Sequence, residues 1–355
     1  MLRLEPRSTQ SFAAAWLSPL MALVLTVITG GVIFLAMGKD PSTALYIYFV
    51  EPLTTASGLS EVAVKAGPLI LIGIGLSFGF RAGIWNIGAE GQYIAGAIAG
   101  GGLAVYFYES ESTLLLPAML VLGTLGGMAW AAVPALLKTR FNANEILVSL
   151  MLVYVAELLL VHLVQGPWRN PQGWGFPGTR LFPDAATMPL LFSGKRVHLG
   201  TLITLAVPFI AWFILARTRF GFTVRVFGSA PLAARHAGVH GHRMIWQSLL
   251  IGGGLAGLAG VIEATSTIGQ LVPNISPGYG FTAIIVAFLG RLHPLGVLLA
   301  GIAIAVTYIG GEGAQISAGL PKAVTSLFQG IILFYLLAFD LFTRYRIIVS
   351  SRATE

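Results

Sequence analysis

The run from about Ala13 to Met37 is apolar enough, and long enough, to cross a lipid bilayer, which takes ~20 such residues. Nine further windows of the same kind follow, at about 62–80, 84–108, 114–137, 146–165, 199–216, 245–263, 272–290, 294–311 and 322–340. The first window, trimmed to 17–37, makes ten. Arg3 and Arg7 before it suggest a secretory signal, but the run exceeds the ~7–15 residues of a cleavable apolar region, so it reads as a retained span. Lipid offers no partner for backbone N–H and C=O groups, so such segments must be helices. Composition agrees: 56% of the 355 residues are hydrophobic and 10% are charged, whereas a soluble domain carries about 25% charged residues. The expected class is an all-α integral membrane protein, one transmembrane domain over 1–355 with the bilayer as its solvent.

The formal net charge of +7 does not point to nucleic acid, because Lys and Arg collect in short loops on one side. Arg3, Arg7, Arg81, Lys138, Arg140, the five arginines from Arg217 to Arg243, Arg291, Arg344, Arg346 and Arg352 all fall on the face that the positive-inside rule makes cytoplasmic. Both termini and the tail 341–355 belong there. The longer loop 166–198, rich in Pro, Gly and Trp, breaks the pattern with Arg169, Arg180, Lys195 and Arg196. Ten spans split into two sets of five, about 17–165 and 199–340, and an odd number per set inverts the second against the first. Inverted repeats are a transporter feature, with broken helices and a solute site near mid-membrane. "NIGAEGQ" at 86–92 and "NISPGYG" at 274–280 fall in the third segment of each set.

Asn86, Glu90 and Gln92 stand in an apolar, Gly-rich stretch, where a carboxylate facing lipid costs ~2.5–3.5 kcal/mol. Glycines lower the cost of non-helical backbone, and polar groups at membrane depth mark solute pathways. Two amides and one carboxylate suit a neutral polar solute. Glu90 lies four residues after Asn86, on one helical face; it could instead pair with Arg81. The alternative reading is structural, with these groups capping a helix and bonding one another while the glycines serve close packing. In the second set, Pro273, Pro277, Gly278 and Gly280 break the helix, and Asn274, Tyr279 and Phe281 could face the same cavity. An external loop leading into the eighth span explains them equally well.

The most informative polar stretch is 217–243. Ser229 is placed to cap a helix, Pro231 suits its first turn, and Gly238 suits its end. A helix of about two turns is marginal alone, so it needs a surface to dock on. Absences matter too. There is no cysteine, no G-x-x-x-x-G-K-[ST] phosphate loop and no H-E-x-x-H. No cofactor and no metal site are expected, and any ATP is bound and hydrolysed by another chain.

"GFTVRVFGSAPLAARHAGV" at 221–239, followed by "GGGLAGLAGVIE" at 252–263, resembles the cytoplasmic loop region of bacterial ABC-transporter permeases of the ribose and branched-chain amino-acid superfamily. "WNIGAEGQ" at 85–92 is similar to the nucleoside branch. The resemblance runs from about residue 60 to 340. It implies a permease subunit of the bacterial cytoplasmic membrane rather than an enzyme. Its implied partners are a second homologous permease, a cytoplasmic ATP-binding subunit and an extracytoplasmic solute-binding lipoprotein. It also implies that Arg225, Ser229, Pro231, Ala233, Ala234, Arg235 and Gly238 couple the chain to the ATPase. Ala230 departs from the pattern, where Asn is common. The expected function is import of a nucleoside or similar polar solute. The rivals are a sugar or branched-chain amino-acid permease, and an ion-coupled carrier using Glu90.

Overall fold

The computed structural model describes residues 2–6 and 12–349. Arg7, Arg352 and the end of the 341–355 tail, counted above, lie outside the described residues. In chain order the helices are α1 (Phe12–Ala36), the short α2 (Pro41–Leu45) and α3 (Glu51–Thr54), α4 (Ala56–Arg81), α5 (Ala89–Tyr106), α6 (Leu115–Phe141) and α7 (Glu145–Gln165). They continue with α8 (Leu199–Arg217), α9 (Arg219–Ser229), α10 (Pro231–His236), α11 (Gly241–Glu263), α12 (Tyr279–Leu289), α13 (Pro294–Ala318) and α14 (Ala323–Arg344). A helix occupies each expected window, and among the described residues six are long and apolar enough to cross a membrane. The all-helical expectation missed one feature. Leu2–Pro6 and Tyr345–Val349 pair as an antiparallel ribbon with Leu2 opposite Val349.

Two windows differ from expectation in an informative way. The third and eighth helices start late, at Ala89 and Tyr279, instead of near 84 and 272. Each is preceded by irregular, glycine-containing backbone. Other helices run past their windows, α4 starting at Ala56, α6 ending at Phe141 and α13 at Ala318, and local chemistry sets some of these ends. Asn142 ends α6 in the left-handed region (φ 52°), and Asn144 caps α7 by accepting from the N–H groups of Ile146 and Leu147.

The contacts divide the chain into two compact units, residues up to Leu59 together with those from Val306 on, and Ser60–Ala305. In the first, α1 packs along α14. Phe328 stacks on Phe34 at 5.4 Å and on Tyr48 at 4.7 Å, and Gly30 makes room for its ring. In the second, α4 is almost wholly buried, while α6, α7 and α8 keep much of their apolar surface exposed. An apolar exterior is what lipid contact requires.

Helices gain no hydrophobic drive from meeting one another in lipid, so they associate through close backbone approach. α5, α6 and α11 show this directly. A Cβ on Gly96 would lie 2.2 Å from the Cα of Gly257, and one on Gly257 would lie 2.4 Å from the Gly123 carbonyl oxygen. Gly127 meets Gly253 in the same way. "GGGLAGLAG" is thus the packing face of α11. The basic loop 166–198 is also explained. Arg196 pairs with Glu61 at 3.0 Å, Arg169 donates to the Gly175 carbonyl, and Arg180 lies over the Tyr108 ring.

Candidate functional site

α4 ends at Arg81, and two residues on Gly83, with a φ of +72°, lets the chain reverse. Gly83 donates to the Phe80 carbonyl and Ile84 to the Gly79 carbonyl, which satisfies the last carbonyls of the helix. Residues 84–88 then run irregularly to the start of α5. Gly88 is pressed against α7, where an added Cβ would sit 2.4 Å from the Ser149 carbonyl oxygen.

Asn86 therefore lies before the helix, and the helical spacing to Glu90 does not apply. Asn86 pairs with Gln92 instead. Asn86 donates to Gln92 Oε1 at 2.8 Å, and Gln92 returns a bond to Asn86 Oδ1 at 3.1 Å. The N–H of Gly88 also donates to Asn86 Oδ1. Both amides are buried. Glu90, equally buried, reaches across to the first turn of α12, where its Oε2 accepts from the Gly280 N–H at 2.5 Å. The Ser276 hydroxyl bonds to the same carboxylate. Arg81 is engaged elsewhere, donating to the Leu292 carbonyl at 2.8 Å.

α5 and α12 thus begin against each other, with one carboxylate between their N-termini. A negative charge is favourable there, because unsatisfied N–H groups concentrate positive potential at a helix start. The rings of Tyr93 and Tyr279 meet edge to face at 6.0 Å, and Lys65 lies over Tyr279 at 5.7 Å. Of the six residues expected along a path, Asn86, Glu90, Gln92 and Tyr279 are all buried in this region. Asn274 is exposed, and so is Phe281, at 40%. Lys65, Tyr93, Ser276 and the buried Glu263, whose carboxyl lies near Lys65 and Tyr93, were not singled out by sequence. Glu263 had a signal, a carboxylate closing an otherwise uncharged apolar run.

The 217–243 stretch holds two helices where sequence reading found one. α9 is capped by Thr218, which accepts from the Gly221 N–H, and it buries Gly221, Val224 and Phe227. Ser229 is its last residue and does not cap α10. The N-cap position is Ala230, without a side-chain bond. Pro231 holds the first turn as expected. Gly238, at φ +84°, closes α10 through its bond to the Arg235 carbonyl and that of Val239 to the Ala234 carbonyl. Ala234 is fully buried, whereas Leu232 is 72% exposed, and Pro231, Ala233, Arg235 and Arg225 are also exposed. α9 lies on the end of α4, so close that a Cβ on Gly228 would collide with the Arg81 carbonyl. Arg225 donates to the Leu215 carbonyl. Among the described residues no group of three or more His, Cys, Asp or Glu is placed to hold a metal.

Many apolar helices, glycine-faced packing and two broken helices meeting around a buried carboxylate define a multi-pass membrane protein of the transport class. The chain belongs to the family described as branched-chain amino acid transport system / permease component, whose model matches residues 58–337. It is 37% identical to the glucose ABC transporter permease protein TsgB13 of Haloferax volcanii, over 98% of this chain and 93% of that one. It is 29% identical to the guanosine ABC transporter permease protein NupP of Bacillus subtilis, over 90% of this chain and 92% of that one. NupQ, a second guanosine permease protein of that organism, is 30% identical over 66% of this chain and 75% of its own. The chain is an ABC transporter permease subunit and not an enzyme; a separate subunit hydrolyses ATP.

Proposed function

We propose that the chain forms the transmembrane path of an ABC importer for a nucleoside or a similar uncharged, hydroxyl-bearing solute. The observation that carries this reading is the meeting of the α5 and α12 N-termini around Glu90. At ~1.5 Å per residue, the 11 residues of α12 span roughly 16 Å, about half the ~30 Å hydrocarbon core. Its start then falls near mid-membrane, where inverted-repeat transporters hold their solutes. Under the ten-span reading in one domain, α5 and α12 are the third helices of sets 17–165 and 199–340, which supports the inverted arrangement. Glu90 already neutralises the paired N-termini, so no anionic solute is needed to do so. Asn86, Glu90, Gln92, Asn274, Tyr279 and Phe281 line the path. Exposed Asn274 and Phe281 meet solute first, and the Asn86–Gln92 pair exchanges its internal bonds for solute hydroxyls. The 37% identity to a glucose permease favours a second reading, a hexose, which is also neutral and rich in hydroxyls.

The remaining parts follow from the same reading. Both termini and 217–243 lie in the cytoplasm. α10 docks on the ATP-binding subunit through Pro231, Ala233, Arg235 and neighbouring Leu232, flanked by Arg225 and Ser229. Ala234 and Gly238 hold its shape. Because α9 bears on Arg81, movement of the docked ATPase reaches residues 84–88 and hence Asn86. The chain binds no nucleotide itself. It pairs with a second homologous permease, as the resemblance to both NupP and NupQ supports, and receives solute from an extracytoplasmic binding lipoprotein.

The test is uptake by the four-component complex in liposomes, with radiolabelled guanosine and glucose offered in parallel. ATP-dependent entry of guanosine, competed by other nucleosides, is expected. Glucose entry alone would select the second reading, and entry driven by an ion gradient without ATP would overturn both. Cysteines placed at 86, 90 and 92 of this cysteine-free chain should react with water-soluble thiol reagents at rates that change during turnover. Inertness at all three would leave these residues a purely structural role.

A further inference from the structure

A groove of about 610 Å³ opens on the side of the Ser60–Ala305 unit. Its walls include Phe78 of α4, Met128 of α6, Ile210 and Ile214 of α8, Phe220 of α9 and Leu250 of α11. Only Thr124 and Gln247 bring polar side chains to it, and the Thr124 hydroxyl is spent on the Leu120 carbonyl. It offers a nucleoside or sugar almost nothing to bond. It stands apart from the Glu90 junction, and Ile210 on its wall is 56% exposed.

What the groove leads to is charged. On α8 the lining stripe runs Val207, Ile210, Ile214, and the next residue at helical spacing is Arg217. On α11 the stripe runs back from Gly254 through Ile251 to Gln247, and one turn earlier stands Arg243. Arg219 adjoins Phe220. All three arginines are exposed, and among the described residues none makes a side-chain hydrogen bond or ion pair. From Ile210 to Arg217 is about 10 Å along the helix. An apolar groove whose α8 and α11 stripes lead on to the exposed Arg217 and Arg243, with exposed Arg219 next in the chain to the lining Phe220, matches one amphiphile, an apolar chain carrying an anionic head.

We propose that the groove holds an acyl chain of an anionic phospholipid whose phosphate is bound by Arg217, Arg219 and Arg243. Basic side chains at the membrane surface draw anionic lipid, and the groove turns that general attraction into a fixed site. The site depends on the chain being in a membrane, not on which solute it carries.

The experiment uses the assembled complex. Phosphatidylglycerol and phosphatidylcholine are compared by native mass spectrometry. A phosphatidylglycerol with a photoactivatable acyl chain then maps the contact. Phosphatidylglycerol should be retained preferentially, and labelled peptides should contain Ile210, Ile214 or Leu250. Each of R217Q, R219Q and R243Q should weaken retention roughly fivefold, since a surface arginine is worth ~1 kcal/mol toward anionic lipid. I251W, which fills the groove and leaves the arginines, should remove the acyl label while the complex still elutes as one species. Equal retention of both lipids, indifference to the arginine variants, or label spread evenly over the outer helices would overturn the proposal. So would a photo-crosslinker at position 210 that captures the second permease subunit in place of lipid. None of these readouts involves solute uptake, so they stand whatever solute is carried.

Discussion

Glu90 shows how a costly residue is made tolerable. A lone carboxylate in this setting would be expelled or neutralised, but here it satisfies orphan N–H groups at the start of α12. A hydrogen bond to a charged group contributes about 1.5–3 kcal/mol. Glu90→Gln keeps an acceptor and the size, so the complex should assemble and uptake should fall only severalfold, with its pH dependence unchanged. Glu90→Ala leaves the Gly280 N–H without this partner, and the variant should be destabilised by about 1–3 kcal/mol, read as an earlier thermal transition in detergent. If Glu90→Gln abolished uptake and wild-type uptake tracked an ion gradient, the carboxylate would be an ion-coupling site.

Among the elements, α10 and α11 make the sharpest tests. Ala234 points into the chain's own fold and Leu232 out of it, so charging each should have different consequences. Leu232→Asp should leave membrane insertion intact and lower solute-stimulated ATP hydrolysis at least tenfold in the assembled complex. Ala234→Asp buries a charge and should reduce the amount of folded protein. On α11, Gly257→Ala forces its new Cβ to within 2.4 Å of the Gly123 carbonyl oxygen and 2.8 Å of the Gly127 Cα. Both obstacles are backbone, so α6 and α11 must separate, and folded yield should drop sharply. Gly330→Ala in α14 has nothing within 4 Å of the added carbon. It should be neutral, or stabilising by up to ~1 kcal/mol through helix propensity.

At the scale of the whole molecule, stability should depend on pH through His198, just before α8. It is buried, and its Nδ1 has no partner among the described residues. Burial, aided by nearby Arg196, pulls its pKa from the usual 6.5 down to about 4. The unfolded chain therefore takes up a proton that the folded one refuses. The contribution to stability is complete above pH 6.5 and is lost as pH falls toward 4, by at most ~1.4 kcal/mol per pH unit. His198→Phe should flatten that part of the melting curve relative to wild type; parallel curves would mean that His198 titrates normally. The isolated chain, lacking a phosphate-binding loop, should not be labelled by a photoreactive ATP analogue in an ATP-protectable manner, whereas the assembled complex should be labelled on its ATPase subunit.

The sequence by itself determined the membrane class, because apolar runs of this length have only one stable setting. It located the long apolar helices to within several residues, since lipid removes every alternative for their backbone, and it marked 217–243 through Pro231 and Gly238, whose geometry is local. It could not place Asn86. Helical spacing paired Asn86 with Glu90, but Gly83 reverses the chain after α4, Asn86 falls outside α5, and its true partner is Gln92. It also read Ser229 as a cap, because the amphipathic α9, held by Thr218 and pressed on Arg81, is recognisable only once those contacts exist. The packing role of Gly96, Gly123, Gly127 and Gly257 depends on which glycines face each other across three helices. The partner of Glu90 is 190 residues away. Such pairings depend on how broken helices meet, and the tertiary structure alone decides them, because no rule of spacing links one helix start to another so distant in the chain.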